Sequence, residues 1–286
     1  MWGDGEGLSS CRALRTTPFS ESPDAIHIQQ CRFRSEEVVQ NPDMTITNKY
    51  FGQTAAEYDA KRRHSRTWAA ETAAFEKLVH SAMEQGPIKS VLDIPCGTGR
   101  WIPFFQDQNV QYRGVDVSKD MIAVAMTNVG GGDTANIQLI EHDCFQYLPA
   151  HRNEFDLTIS TRFLNWWHTD TAISIIEALC AASRKFVIIH IRVHENALQV
   201  TFRRIVKWPK FVGKYAKAVA GALRKGRLTF KHNVLDIESH PRKTVEDRIK
   251  ALGWTIQERI VAKRLAYAKV EFWLMRKDEA HRSPPP

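Results

Sequence analysis

A chain of 286 residues with 43% hydrophobic composition can bury one substantial core, or one core plus a small appendage. It has no run of about 18 or more apolar residues, and Asp4 and Glu6 stand where a secretory signal would be basic and then apolar. Those features lead to the expectation of a soluble cytoplasmic protein without a membrane span or secretory leader. The formal net charge of +8 is local: residues 195–232 hold ten Lys and Arg against the single acid Glu195, and the rest of the chain is close to neutral.

Residues 1–43 show no sustained periodicity and include Pro18, Pro23 and Pro42, which predicts a disordered leader before a domain spanning 44–277. Met44 is an alternative start. From Trp68 to Gln85 apolar residues recur at helical spacing until Gly86-Pro87 stops them. Strand 90–94 follows, then a glycine-containing turn and a helix at Trp101–Phe105. The alternation continues with strand 112–115, helix 119–127, strands 137–140 and 155–160, helix 170–183 and strand 186–191. Ser239-His240-Pro241 reads as a helix start with proline in the first turn, running to Leu252 and closed by Gly253. Strands 255–261 and 270–275 are joined too closely for a crossover and should pair antiparallel. Residues 278–286 are read as a disordered tail. The expected architecture is α/β: a Rossmann-like, doubly wound, mostly parallel seven-stranded sheet with an antiparallel edge strand.

Five cysteines, Cys11, Cys31, Cys96, Cys144 and Cys180, lie far apart without metal-site or disulfide spacing, so free thiols and no metal are expected. The strongest motif is Val91-Leu92-Asp93-Ile94-Pro95-Cys96-Gly97-Thr98-Gly99-Arg100. A buried strand ends in an acid, and a glycine turn lets a ligand approach the backbone before a helix begins. A nicotinamide or flavin fingerprint would need a third glycine where Ile102 stands, so dinucleotide binding fits less well. Asp116, at the end of the second strand, can accept both hydroxyls of a ribose.

These motifs, in this order over about Tyr50 to Lys277, resemble the class I S-adenosylmethionine-dependent methyltransferases, in particular the small-molecule branch that includes quinone and biotin biosynthesis enzymes. The chain matches the family's first motif at Asp93, Gly97 and Gly99, with Pro95 at its first glycine. The resemblance implies that Pro95, Cys96, Gly97 and Gly99 line the methionine part of S-adenosylmethionine, with Asp93 near its amino group. It implies further that Asp116 and Val117 meet the ribose, that Met121 packs on adenine unless it is plain core, and that Asp143 and Cys144 hold the adenine amino group. Ser160 ends the fourth strand, which faces the methyl group. Tyr58, with Tyr50, belongs to a segment that caps the cofactor in the same branch.

Beyond that strand, Ser160-Thr161-Arg162-Phe163 lacks the Pro-Pro-aromatic signature of adenine and glutamine methyltransferases, which lowers the case for those substrates. Arg162, Asn165 and His168 are polar groups among aromatics at the expected catalytic mouth, each equally open to a structural role. If the acceptor is a hydroxyl, His168, His190 or His194 is suited to take its proton. The insert 195–232 leaves two functional readings open. In one, the apolar and cationic stripes of 199–231 make a peripheral membrane contact that delivers a lipid-like acceptor for O- or C-methylation. In the other, less favoured, its basic and aromatic residues bind nucleic acid for RNA methylation. A solvated helical pair is the plainest alternative.

Overall fold

The computed structural model describes residues 57–60, 62–106, 108–129, 135–196, 198, 201 and 237–278. All belong to the compact unit Asn41–Pro286. The leader 1–43, Tyr50, most of the insert and residues 279–286 lie outside the described residues.

In chain order the elements are α1 (Arg66–Glu84), β1 (Ser90–Asp93), α2 (Ile102–Gln106), β2 (Gln111–Asp116), α3 (Lys119–Asn128), β3 (Ile137–Glu141), α4 (Cys144–Ala150) and β4 (Phe155–Ser160). A 3-10 turn at Leu164–Trp166 leads to α5 (Thr169–Ala182), β5 (Ser183–His194), β6 (His240–Pro241), α6 (Arg242–Ala251), β7 (Trp254–Leu265) and β8 (Ala268–Lys277). The spatial order is β3-β2-β1-β4-β5-β8-β7, with the two-residue β6 pairing parallel to the end of β5. β1 to β5 run parallel, and β8 inserts antiparallel between β5 and β7. Chain direction across the sheet reverses between β1 and β4, the switch point where a doubly wound sheet opens a ligand crevice beyond its strand ends.

Local chemistry explains most boundaries. The Ser65 side chain caps α1 by accepting from Trp68 N at 3.1 Å, Ser118 caps α3 by accepting from Met121 N at 3.2 Å, and Asp143 caps α4 by accepting from Phe145 N at 2.8 Å. Helices cover both sheet faces, so β4 is buried along its whole length, whereas β7 after Trp254 largely alternates exposed and half-buried residues and carries Glu258, Arg259, Lys263 and Arg264 along the open edge. Val91, Leu157, Ile188 and Leu274 pack with Phe75 and Phe105 on one face. Leu92, Val187, Ile189 and Trp273 pack with Leu179 and Ile249 on the other.

The elements differ from the sequence expectations in three ways. β5, β7 and β8 run several residues longer, because each extends along its neighbour's backbone hydrogen bonds. α4 was not anticipated: it has seven residues and contains Pro149. His240-Pro241 is strand rather than first helical turn, so Pro241 precedes α6 as its cap. The cause is the buried His240 ring, whose nitrogens lie 3.2 Å from Thr169 Oγ1 and from the Leu164 carbonyl and tie the segment to the 3-10 turn and the start of α5, while its backbone pairs with β5. The two ends of the insert therefore stand side by side, with Glu195 accepting from Arg242 and Lys269.

Candidate functional site

The crevice is assembled from the carboxyl ends of β1, β2 and β4. Beyond β1 the backbone turns through Gly97 and Gly99, both left-handed with φ of 56° and 73°. Gly99 is favoured by its left-handed backbone and by packing, since a Cβ there would sit 2.5 Å from Ile102 Cδ1 and 3.1 Å from Ala125 Cβ, so that the Ile102 side chain would have to shift. Gly97 differs: a Cβ would meet nothing within 4 Å, so the backbone faces open space. Asp116 fastens the turn to β2. Its Oδ2 accepts from Gly97 N at 2.9 Å and its Oδ1 from Ser118 N at 2.8 Å, leaving each oxygen further acceptor capacity toward the crevice. Burial raises its pKa, opposed by those two backbone donors.

Asp93 is fully buried. Burial pushes its carboxyl up to about 8, opposed by the Tyr112 hydroxyl, which donates to Oδ2 at 2.7 Å, while Oδ1 has no hydrogen-bond partner. Ser160 Oγ is likewise buried without a partner. Val117, beside Asp116, leaves half its surface exposed, whereas Met121 is buried under the first turn of α3. Cys96 and Cys144 are free thiols whose pKa values burial pushes up, so they are poor nucleophiles; Cys180 is also free. Pro95 is half-buried in the turn. Asp143 spends Oδ1 on the α4 cap.

A short segment closes one end. Thr98 Oγ1 donates to Asp59 Oδ1 at 2.9 Å, and Asn128 Nδ2 donates to Thr98 O at 2.9 Å and to Asp59 Oδ2 at 3.3 Å. Tyr58 lies next to this clasp with the Arg62 guanidinium 3.7 Å from its ring centre.

The sequence candidates for the mouth separate into different environments. His168 is exposed and makes no side-chain cap on α5. Asn165 is buried, and its Oδ1 accepts from Arg192 N at 2.6 Å, which bonds the 3-10 turn to β5. His194 sits 3.2 Å from Ser239 Oγ at the base of the insert. Arg162 has left-handed backbone at φ 57° and forms an ion pair with Glu71 of α1. His190 accepts from Arg162 N at 3.2 Å through Nδ1; burial, opposed by Glu71 and reinforced by nearby arginines, pushes its pKa down to about 4, so it is neutral.

Glu71 and Arg100 are the site residues that sequence reasoning missed. Glu71 Oε2 accepts from Arg100 Nη1 at 3.0 Å, from Arg162 Nε at 2.9 Å and from Arg162 Nη2. Burial would raise the Glu71 pKa, but His190 and Arg162 and the guanidinium hydrogen bonds hold it below its ordinary value. The available signal was positional: Glu71 lies on the same helical stripe as Phe75, Leu78 and Ala82, where a lone carboxylate needs a buried partner. Among the described residues no cluster of His, Cys, Asp and Glu could hold a metal, and no helix is long and apolar enough to cross a membrane.

Residues 91–185, from β1 to the start of β5, match the family described as methyltransferase domain. No curated protein sequence matches the chain. Among solved structures, the fold is similar to magnesium protoporphyrin IX methyltransferase from Synechocystis PCC 6803 with bound SAH, at TM-score 0.57 and 13% identity, over 82% of this chain and 99% of that one. The same enzyme with bound SAM gives TM-score 0.53 and 15% identity over 82% and 97%. Residues 91–185 therefore match a methyltransferase domain, and the likeness to these solved structures is one of fold.

Proposed function

We propose that the protein transfers a methyl group from S-adenosylmethionine to a small-molecule acceptor, by O- or C-methylation. The observation that carries this reading is the convergence of open backbone at Gly97 with the unpartnered Asp93 Oδ1 and Ser160 Oγ and with the remaining acceptor capacity of Asp116. A group with a cation, a ribose diol and a flat base fits that set. The similarity to a fold that holds SAH and SAM in the named methyltransferase supports the same cofactor here.

In this reading Asp116 accepts the ribose hydroxyls, with Val117 and Met121 toward the base and Asp143 and Cys144 at its amino edge. Pro95, Cys96, Gly97 and Gly99 line the methionine part, Asp93 faces its ammonium, and Ser160 lies beside them. Bound there, S-adenosylmethionine supplies an electrophilic methyl group on a sulfonium. The chain's own task is alignment and exclusion of water, because direct displacement needs the acceptor atom in line with the methyl carbon. Tyr58 and α1 close the acceptor end, and an aromatic face there favours the sulfonium charge. Arg162 and Asn165 shape the mouth. His168, the exposed histidine, is the candidate to accept a hydroxyl proton, since His190 already spends Nδ1 on Arg162 N. The insert 199–231 is proposed to bring an amphiphilic acceptor from an anionic membrane surface.

Calorimetry with SAM and SAH tests the cofactor assignment. Trideuteromethyl SAM incubated with metabolite extracts, read by mass spectrometry, tests transfer. Micromolar SAH binding and a new trideuteromethyl product are expected; absence of both would overturn the reading. Cosedimentation with anionic vesicles tests the membrane contact, and an RNA gel shift tests the less favoured nucleic-acid reading.

A further inference from the structure

Among the described residues, the acceptor end of the crevice sets two guanidiniums on one carboxylate. The single carboxylate of Glu71 serves both Arg100 and Arg162, and all three donors converge on one oxygen, Oε2. His190 beside them remains neutral. The side chains of Arg100 and Arg162 are only 11% and 24% exposed. A partly buried guanidinium without its own counter-charge is unfavourable, so among the described residues the cluster is one anion short.

The two arginines are not equivalent. Arg100 is committed to the protein: Nη2 donates to Trp68 O at 2.8 Å and Thr72 Oγ1 at 2.6 Å, and the guanidinium lies 3.6 Å and 4.3 Å from the Trp68 and Trp101 ring centres. Arg162 is the more exposed, giving Nε and Nη2 to Glu71 and meeting the Tyr58 side chain. Its left-handed backbone, unusual for a residue with a Cβ, is held from two further sides. His190 Nδ1 accepts its N–H at 3.2 Å, and Trp166 Nε1 donates to its carbonyl at 2.7 Å. Strained backbone held by a surrounding network at the carboxyl end of a strand beside the switch point marks a side chain set in place for a ligand. Phe163 and Trp166, both half-buried, flank it with aromatic surface.

Resting on the methyltransferase reading, we propose that the acceptor is an organic oxyanion with an apolar or aromatic body, and that Arg162 is the residue that recognises its carboxylate or phosphate. A guanidinium fork suits either group, and the oxyanion supplies the counter-charge that Glu71 shares out too thinly. Glu71 is a positioning residue: it orients Arg162 and competes for the same donors.

The test is calorimetry on the full chain. SAH is titrated first; then benzoate, phenyl phosphate and octanoate are compared with benzamide and octanamide, with and without SAH. At least one anion is expected to bind tenfold or more tightly than its neutral counterpart, and benzoate against phenyl phosphate distinguishes the two oxyanions. Arg162→Gln should abolish that preference while SAH affinity stays within twofold. Glu71→Gln, which keeps an acceptor oxygen but removes the competing charge, should tighten the anion several-fold, an effect that a purely structural ion pair would not produce. Anions binding no better than amides, or Arg162→Gln retaining the preference, would overturn the proposal, as would weaker anion binding in Glu71→Gln. Should Arg162→Gln fail to fold, the wild-type comparison and Glu71→Gln still decide. Failure of SAH to bind counts against the methyltransferase reading alone, because the anion comparison without SAH stands independently.

Discussion

The crevice around Asp93, Gly97 and Asp116 and the charged cluster around Glu71 are adjacent but built in opposite ways. The first is made largely from one β-turn-α unit and the end of the next strand, with backbone groups and one carboxylate closing it. The second collects Glu71 from α1, Arg100 from the first turn, Arg162 from beyond β4 and His190 from β5, and is held almost wholly by side chains. The contrast teaches a division of labour. A backbone-built crevice suits a ligand common to many enzymes, and a side-chain cluster drawn from distant segments can be altered to suit one acceptor.

The largest expected effect falls on the side-chain cluster. Glu71→Ala leaves two partly buried guanidiniums without their shared carboxylate, and unfolding in urea should show a loss of about 3–5 kcal/mol. A loss under 1 kcal/mol would mean that the cluster relaxes into water and is not a fixed feature.

The two glycines sharpen the other side of the comparison. Gly99→Ala combines a left-handed backbone cost of about 1–2 kcal/mol with overpacking against Ile102 of about 1–3 kcal/mol. Gly97→Ala carries only the backbone cost, because its Cβ would enter open space. Thermal unfolding should rank Gly99→Ala as the less stable, and SAH titration should show Gly97→Ala binding at least tenfold more weakly, as its methyl occupies ligand space. Equal SAH affinity in Gly97→Ala would place the cofactor elsewhere.

Asp116→Ala should weaken SAH binding by about 1.5–3 kcal/mol, the range for hydrogen bonds to a charged group. That corresponds to roughly 10- to 150-fold in Kd by calorimetry. Unchanged affinity with an intact fold would remove Asp116 from the site.

Asp93 predicts a smaller, pH-dependent effect. Its folded pKa of about 8 lies above the ordinary value of 3.8, so between those limits the native state keeps a proton that the unfolded state has released. Its contribution to stability therefore falls as pH rises through that window, and Asp93→Asn should flatten the dependence. A ligand ammonium favours the ionised form, so SAH affinity should rise toward pH 8 with release of up to about one proton at pH 7. Calorimetry in two buffers of different ionisation enthalpy counts that proton, and none released would detach Asp93 from the ammonium. The smallest expected effect is none at all: protein beginning at Met44, close to where the compact unit starts at Asn41, should melt and bind SAH like the full chain. A large drop in melting temperature would show that residues 1–43 contribute to the fold.

By itself the sequence determined the alternation of strands and helices, the parallel sheet with its antiparallel pair, and the turn through Gly97 and Gly99. Each of those depends on residues within about one turn or one strand of each other, and short-range hydrophobic period and glycine placement report them directly. Strand lengths were not local: β5 reaches His194 because β8 and β6 pair with it, and His240-Pro241 became strand because the His240 ring finds hydrogen-bond partners 71 and 76 residues away. The charged cluster was decided by tertiary structure for the same reason. Arg162 was visible as a polar residue among aromatics, but its partner Glu71 lies 91 residues earlier in the chain. Only packing α1 across the sheet, chiefly on β7 and β8, brings that carboxylate within hydrogen-bonding distance of Arg162, and no local spacing encodes which charges will share a buried oxygen.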